Sequence, residues 1–118
     1  MISEKIYDYT YEYVIDMTTE GRLLGHIFQG VEIVEELITK VSGFPAELKL
    51  KLKHIILSHH GQYKWQSPVL PQTVEAYLVH AADLLEADLW KFRELKKKYS
   101  GQEWSPWDEG IGRKVFLK

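Results

Sequence analysis

The sequence predicts a mainly α-helical fold with a short β-strand near each end. Residues 22–41, 48–59 and 73–98 repeat apolar side chains at steps of three and four, the spacing of one helix face. Glycine and proline residues between these stretches end one helix before the next begins. Tyrosines alternate with polar residues at positions 7, 9, 11 and 13, a pattern typical of an extended strand.

The composition predicts one soluble domain spanning residues 1–118. The chain has 45% hydrophobic and 27% charged residues, enough for one core. It has no cysteine, which excludes disulfides, thiolate ligands and a cysteine nucleophile. No apolar run approaches the ~18 residues of a membrane span, and the N-terminal residues, with their acidic side chains and tyrosines, do not resemble a signal peptide. We therefore expect a cytoplasmic protein without membrane attachment, whose net charge of −2 does not attract nucleic acid over the whole domain.

The first helix follows the tyrosine stretch, which spans residues 5–15. The four tyrosine rings cover a core in the simpler interpretation and form a base-stacking platform in the other. Thr18 or Thr19 is a suitable N-cap. Apolar residues on two faces of residues 22–41 predict a helix covered on two sides. His26 lies at the edge of its polar stripe, near two glycines.

The second predicted helix ends at the most informative feature of the chain, the adjacent residues His59 and His60. Pro45 suits its first turn, and Gly61 is the expected stop after His59. The adjacent imidazoles of His59 and His60 point about 100° apart, so one continues the buried face and the other faces the neighbouring opening. This arrangement suits a metal site. The alternative is a hydrogen-bonded core His59 and a capping or surface His60.

Lysines on the outer side of the second helix have two interpretations. Lys49, Lys51 and Lys53 contact a phosphate, or they are ordinary solvated side chains.

The third helix is predicted from Thr73, its N-cap, to about Lys98. An apolar stripe predicts its core face: Tyr77, Ala81, Leu84, Leu85 and Leu89. His80 and Asp83 share a neighbouring face, where they either hydrogen-bond to each other or leave Asp83 available to a ligand. The tail ends in a predicted strand, residues 113–118, that pairs with the tyrosine strand.

Four side chains on the three helices are candidate metal ligands: His26, His59, His60 and Asp83. Helical domains commonly build metal sites from side chains that converge between helices. Nitrogen and carboxylate ligands without thiolates suit manganese, iron, cobalt, nickel or zinc better than calcium. Such ions assist phosphoester hydrolysis. The sequence contains no phosphate-binding glycine loop, serine-nucleophile elbow or zinc-protease motif.

Several segments, in order, carry a family resemblance: residues 5–9, Lys-Ile-Tyr-Asp-Tyr; residues 20–27, Glu-Gly-Arg-Leu-Leu-Gly-His-Ile; residues 54–61, His-Ile-Ile-Leu-Ser-His-His-Gly; residues 67–69, Ser-Pro-Val; and residues 71–76 leading to the His80-Ala81-Ala82-Asp83 segment. In these segments the chain resembles the HD superfamily of metal-dependent phosphohydrolases. It is most similar to the HD domain of bacterial 3′-5′ exoribonucleases that carry an OB-fold domain ahead of it.

The resemblance implies a helical HD-domain bundle that binds a divalent metal, manganese first among the candidates. The implied ligands are His26, His59, His60 and Asp83, with Asp83 also catalytic and Lys5 facing the phosphate. The implied substrate is single-stranded RNA or a nucleotide. In the family, a His-Asp pair directly precedes the segment that matches Lys5, and a metal-binding histidine lies in a helix further upstream. This chain has Met-Ile-Ser-Glu in place of the pair, so we expect a partial bundle, truncated at its N-terminus.

Two functions follow as hypotheses. In the first, the chain is an HD phosphodiesterase of the exoribonuclease type, weak or inactive in isolation because ligands are missing. In the second, it is a catalytically silent HD-like module that forms a homodimer, or binds a partner such as the missing N-terminal segment, through the apolar surface that this segment would cover.

Overall fold

The fold is mainly α-helical, as the sequence predicts. The computed structural model describes residues 9–10 and 16–118, with side chains from Met17 onward. Three helices dominate: α1 at Thr19–Thr39, α2 at Ala46–Ser58 and α3 at Val74–Lys98, with a 3₁₀ turn at Tyr63–Trp65 between α2 and α3. The chain divides into two compact units, Met1–His80 and Ala81–Lys118.

A two-stranded antiparallel sheet precedes α1. Strand β1 (Tyr9–Thr10) pairs with strand β2 (Asp16–Met17), with Tyr9 opposite Met17 and Thr10 opposite Asp16. The predicted N-terminal strand is therefore present at Tyr9–Thr10. The rest of the tyrosine stretch lies outside the described residues, as does the predicted side-chain pattern of the strand.

Helix α1 begins at a side-chain cap and is interrupted once. Thr18 is the N-cap, and its Oγ1 accepts a hydrogen bond from the Gly21 backbone N at 2.9 Å. This confirms one of the two predicted caps. Gly25 has φ 74° and ψ 159°, a conformation outside the helical region that an L side chain rarely adopts. The helix resumes at His26, so the break aims this imidazole independently of the first turn.

Large apolar side chains remain exposed on α1 and α3. Leu23 is 78% exposed and Leu37 54%, so the prediction that α1 is covered on two sides is wrong. Tyr77 and Leu85 are 63% and 60% exposed, which also contradicts the core stripe predicted for α3. Helical periodicity located the faces, but it did not specify which face has a neighbour.

Ion pairs join α1 to α2. The Glu35 carboxylate pairs with Lys49 Nζ at 2.6 Å and with Lys53 Nζ. Lys51 pairs with Glu47 at 3.0 Å along α2. All three lysines proposed from the sequence as phosphate contacts or solvated residues are therefore engaged with carboxylates.

The start of α3 is held by side-chain to backbone hydrogen bonds. Thr73 Oγ1 accepts from the Ala76 backbone N at 3.1 Å, which confirms the predicted cap. The preceding residue is tied to α2, because the Gln72 backbone N donates to His54 Nε2 at 2.9 Å. Buried Ser67 has its Oγ 3.0 Å from Leu57 O and 2.7 Å from Val69 O, which holds the α2–α3 loop against the end of α2.

The second unit packs the tail against the end of α3. Its core contains Leu95, Val115 and Leu117, with Phe92, Tyr99 and Ile111 against them. The predicted C-terminal strand is reduced to two isolated antiparallel bridges, Trp104 with Phe116 and Asp108 with Arg113. The prediction that it pairs with the tyrosine strand is wrong for these residues, because a turn at Gly112, whose backbone N donates to Asp108 O at 2.7 Å, folds the tail back on itself.

Among the described residues, no helix combines the length and the apolar character that a membrane crossing requires.

Removing the charge of Glu35 should destabilise the protein in a pH-dependent way. Hydrogen bonds from Lys49 and Lys53, with their charges, lower the pKa of Glu35 from its ordinary value of 4.5. The ionised carboxylate therefore contributes stability above pH 4.5, and this contribution is lost as the pH falls through the lowered pKa. The difference in unfolding free energy between wild type and Glu35→Gln, measured by urea denaturation, should therefore decrease as the pH falls below 4.5.

The matched control is the same substitution in a Lys49→Met, Lys53→Met background, where the pH dependence should disappear. A gap that stays constant with pH in the native background would contradict the ion-pair assignment.

Candidate metal centre

Three imidazoles meet within the first unit. His26, which follows the break in α1, lies beside His59 and His60, which follow α2, and one ring nitrogen from each lies within 4.8 Å of the other two. The ring centroids are 5.7 Å apart for His26 and His59, 5.0 Å for His26 and His60, and 4.5 Å for His59 and His60. The structure thus brings together three of the four candidate ligands.

The end of α2 determines how the adjacent imidazoles diverge. His59 is the C-cap and keeps helical dihedrals, φ −65° and ψ −24°. Gly61 then turns the chain with φ 76°, and its backbone N donates to Ser58 O at 2.8 Å. His59 is 3% exposed, whereas His60 is half-buried at the rim of a groove. The predicted divergence, one ring buried and one facing the opening, is confirmed.

Backbone carbonyls set the tautomers of both rings. His59 Nδ1 donates to Ile56 O at 2.6 Å, and His60 Nδ1 donates to Trp65 O at 2.7 Å. A carbonyl oxygen only accepts, so each Nδ1 carries a proton and each neutral ring holds its lone pair on Nε2. Metal-ligating histidines in proteins are commonly oriented in this way.

The approach of His26 to His60 fits a bound cation. Their Nε2 atoms are 3.1 Å apart. Two lone pairs repel at this distance, so in the absence of a cation one Nε2 is protonated and donates to the other. A divalent ion accepts both lone pairs and removes that conflict. The donor set and its orientation therefore suit a divalent metal bound through nitrogen.

Part of the alternative interpretation is also correct. His59 is indeed a buried, hydrogen-bonded core residue. This role occupies Nδ1 only, so it is compatible with metal binding through Nε2.

The two other predicted site residues are Asp83 and Lys5. Asp83 is half-buried and lies on the part of α3 that belongs to the second unit. Lys5 lies outside the described residues. Their assigned roles rest on the family resemblance.

His80 is a site residue that the sequence did not assign to the cluster. Its Nδ1 donates to His59 O at 2.9 Å, whereas the sequence suggested Asp83 as its partner. His80 and His59 are 21 residues apart, and no periodic signal links them. Gln66 was also missed, and it is the single described non-glycine residue with positive φ, 66°.

A groove of about 310 Å³ opens beside His26 and His60. Its wall is largely apolar, and its residues come from α1, the end of α2 and the following loop: Leu24, Phe28, Val31, Leu57, Gln66 and Pro68. Phe28 is 49% exposed, so a ring face is available to a ligand next to the imidazoles.

The fold and the cluster together define a helical domain with a histidine-rich candidate metal centre. The chain belongs to the HD domain family, whose model matches residues 3–88. This match confirms the resemblance seen in the sequence.

Curated relatives include the 3′-5′ exoribonuclease YhaM of three bacteria. The Listeria monocytogenes protein is 36% identical over 99 residues, which cover 84% of this chain and 31% of the relative. The proteins of Oceanobacillus iheyensis and Bacillus velezensis are 42% and 43% identical over 72 residues, which cover 61% of this chain and 22% and 23% of the relatives. The chain thus spans about a third or less of these relatives. No solved structure matches it significantly.

Gly61→Ala should destabilise the protein more than Gly43→Ala. Both glycines have positive φ, 76° and 68°, so both substitutions incur the left-handed penalty of roughly 1–2 kcal/mol. A Cβ on Gly61 would also overlap the His80 imidazole, whereas a Cβ on Gly43 would meet nothing within 4 Å. Urea denaturation of the two variants measures the difference.

Gly43→Ala is the matched control, because it carries the backbone cost without the overlap. Equal losses of unfolding free energy would show that His80 does not pack on the turn.

Proposed function

We propose that this chain is a metal-dependent phosphodiesterase domain that acts on single-stranded RNA from its 3′ end, and that its turnover is weak. The observation that carries the proposal is the convergence of three imidazole nitrogens within 4.8 Å. Membership of the HD domain family and similarity to 3′-5′ exoribonucleases support the same reaction. An RNA substrate agrees with the cytoplasmic location expected from the sequence.

We assign His26, His59 and His60 as ligands of a divalent metal, with Asp83 as a further ligand and catalytic carboxylate. Manganese is the leading candidate, and iron, cobalt, nickel and zinc share the preference for imidazole and carboxylate ligands. When bound, such an ion supplies Lewis acidity, which lowers the pKa of water and polarises a phosphoryl oxygen. The Nδ1 contacts of His59 and His60 hold their Nε2 atoms ready for this role.

The proposed reaction is hydrolysis of the last phosphodiester bond of the RNA. A water oxygen forms a bond to phosphorus, the bond from phosphorus to the 3′ oxygen of the preceding nucleotide breaks, and a proton is transferred to that oxygen. The products are a 5′-mononucleotide and an RNA shortened by one residue. We assign Lys5 to face the phosphate, as the family resemblance implies.

The groove beside His26 and His60 supports a nucleotide substrate. The half-exposed Phe28 ring offers a stacking face for an unpaired base, and the Gln66 amide offers a donor and an acceptor for its edge. Lys49 and Lys53 are paired with Glu35, so phosphate recognition does not draw on these lysines. Stacking beside the metal centre thus favours single-stranded over double-stranded RNA.

Weak turnover follows from the ligand set. None of the five histidines in the sequence is followed by aspartate, so the His-Asp pair that the resemblance leads us to expect is not in this chain. Each missing ligand weakens metal binding and removes orientation of the remaining ones.

A second candidate is a catalytically silent module that forms a homodimer or binds an N-terminal partner segment. The observation that favours it is the exposure of large apolar side chains, Leu23 at 78% and Leu50 at 69%. Apolar residues left open to water drive association when they form a continuous patch.

Metal binding and RNA cleavage test the first proposal together. Isothermal titration with Mn²⁺ should give about one ion per chain, because three imidazoles converge on one point. His60→Ala should weaken binding by at least roughly 10-fold. A single-stranded RNA labelled at its 3′ end should release labelled mononucleotide slowly, and Asp83→Ala should abolish the release.

His54→Ala is the matched control, since His54 is another half-buried imidazole in a backbone hydrogen bond outside the cluster. It should change neither metal binding nor cleavage. Absence of both in wild type, together with a dimer in sedimentation equilibrium, would overturn the phosphodiesterase and leave the interaction module.

Phe28→Ala should raise the KM for single-stranded RNA. Loss of one base-stacking contact costs about 1–3 kcal/mol, or roughly 5- to 150-fold in affinity. The Mn²⁺ affinity should not change, because Phe28 offers no ligand atom. Steady-state cleavage kinetics and titration measure the two quantities.

Leu23→Ala is the control for loss of an exposed apolar residue on α1, because Leu23 does not line the groove. An unchanged KM in Phe28→Ala, or an equal rise in Leu23→Ala, would contradict the base-binding role of the groove.

A further inference from the structure

We infer that His80 is a positioning residue of the metal centre, which fixes the orientation of His59 and His60 without binding the metal itself. Its effect on metal affinity rests on the proposed function, whereas its effect on the two rings does not. Three sets of contacts within the first unit carry the inference.

The first contact is the hydrogen bond from His80 Nδ1 to His59 O, at 2.9 Å. Carbonyls in the last turn of a helix have no partner within the helix. His80 satisfies this one, and the carbonyl belongs to the peptide unit that joins His59 to His60. The His80 Nδ1–H group therefore fixes the plane of the peptide unit that joins the two residues whose imidazoles diverge.

The second contact is between the His80 ring and the backbone of the turn. A Cβ at Gly61 would overlap three atoms of this ring, so the ring lies directly on the glycine. Glycine suits position 61 for two reasons: it adopts the positive φ of 76° readily, and without a Cβ it allows the close approach of the imidazole. The turn is shaped around the His80 ring.

The third contact runs through Trp65. The Trp65 ring lies 6.3 Å from the His80 ring, centroid to centroid, and the Trp65 carbonyl accepts the hydrogen bond of His60 Nδ1 at 2.7 Å. Tyr77 contacts His80 edge to face at 6.2 Å. His80 is therefore held by two aromatic rings, and one of these residues also sets the tautomer of His60.

An imidazole suits this position because it presents a donor at Nδ1 within a flat ring. An asparagine places an amide N–H close to the position of Nδ1, whereas a glutamine carries the same amide one methylene further from the backbone. His80→Asn and His80→Gln therefore separate the donor position from polarity and general packing.

The experiment combines NMR of the metal-free protein with Mn²⁺ titration. In wild type, long-range ¹H–¹⁵N spectra of the histidine rings should show the Nδ1–H tautomer for His59 and His60. His80→Gln should give mixed tautomers and weaken Mn²⁺ binding by roughly 10- to 100-fold. His80→Asn should keep most of the wild-type tautomer signature and affinity.

His54→Ala is the control, since it removes an imidazole that accepts a hydrogen bond from a backbone N and should alter neither readout. If wild type binds no Mn²⁺, the proposed function fails while the tautomer measurement still decides the role of His80. Wild-type tautomers in His80→Gln, or identical tautomer spectra for the Asn and Gln variants, would overturn the inference.

Discussion

The turn that ends α2 is the constraint on which the candidate site depends. Gly61 reverses the chain with a positive φ, and this reversal leaves His59 directed into the interior and His60 toward the groove. A residue with a Cβ at position 61 would meet both a backbone penalty and the His80 ring. The arrangement of the two adjacent imidazoles therefore depends on Gly61 and on the His80 side chain that packs on it.

Backbone carbonyls orient two histidines of the candidate centre, His59 and His60, and the neighbouring His80. Ile56 O, Trp65 O and His59 O accept from the Nδ1 atoms of His59, His60 and His80. Carbonyl oxygens are neutral, so this arrangement fixes each tautomer without adding negative charge beside the imidazoles. Charge neutralisation of a bound divalent ion is thus left to carboxylates outside the three imidazoles, which is the role that the resemblance gives to Asp83.

Polar contacts as well as apolar packing join the helices that position the site. Glu35 joins α1 to α2 through two lysines, while Leu23 and Leu50 remain largely exposed and Phe28 is half-exposed. Ion pairs at such exposed positions contribute little individually. A ligand that binds only the folded state adds RT ln(1 + [L]/Kd) to its stability, so a metal ion bound at the candidate centre would also stabilise the fold.

Local signals in the sequence were enough to predict the helices, the cap at Thr73 and the divergence of His59 from His60, because each depends on residues within one turn of helix. They reduced the first cap to two candidates, of which the structure has Thr18. The break at Gly25, the pairing of Glu35 with Lys49 and Lys53, and the contact of His80 with His59 were decided by packing between elements far apart in the chain. Periodicity indicates which residues share a helix face, but it does not indicate which element packs against that face. For that reason the amino-acid pattern identified the imidazoles, and only the folded chain showed what holds them in place.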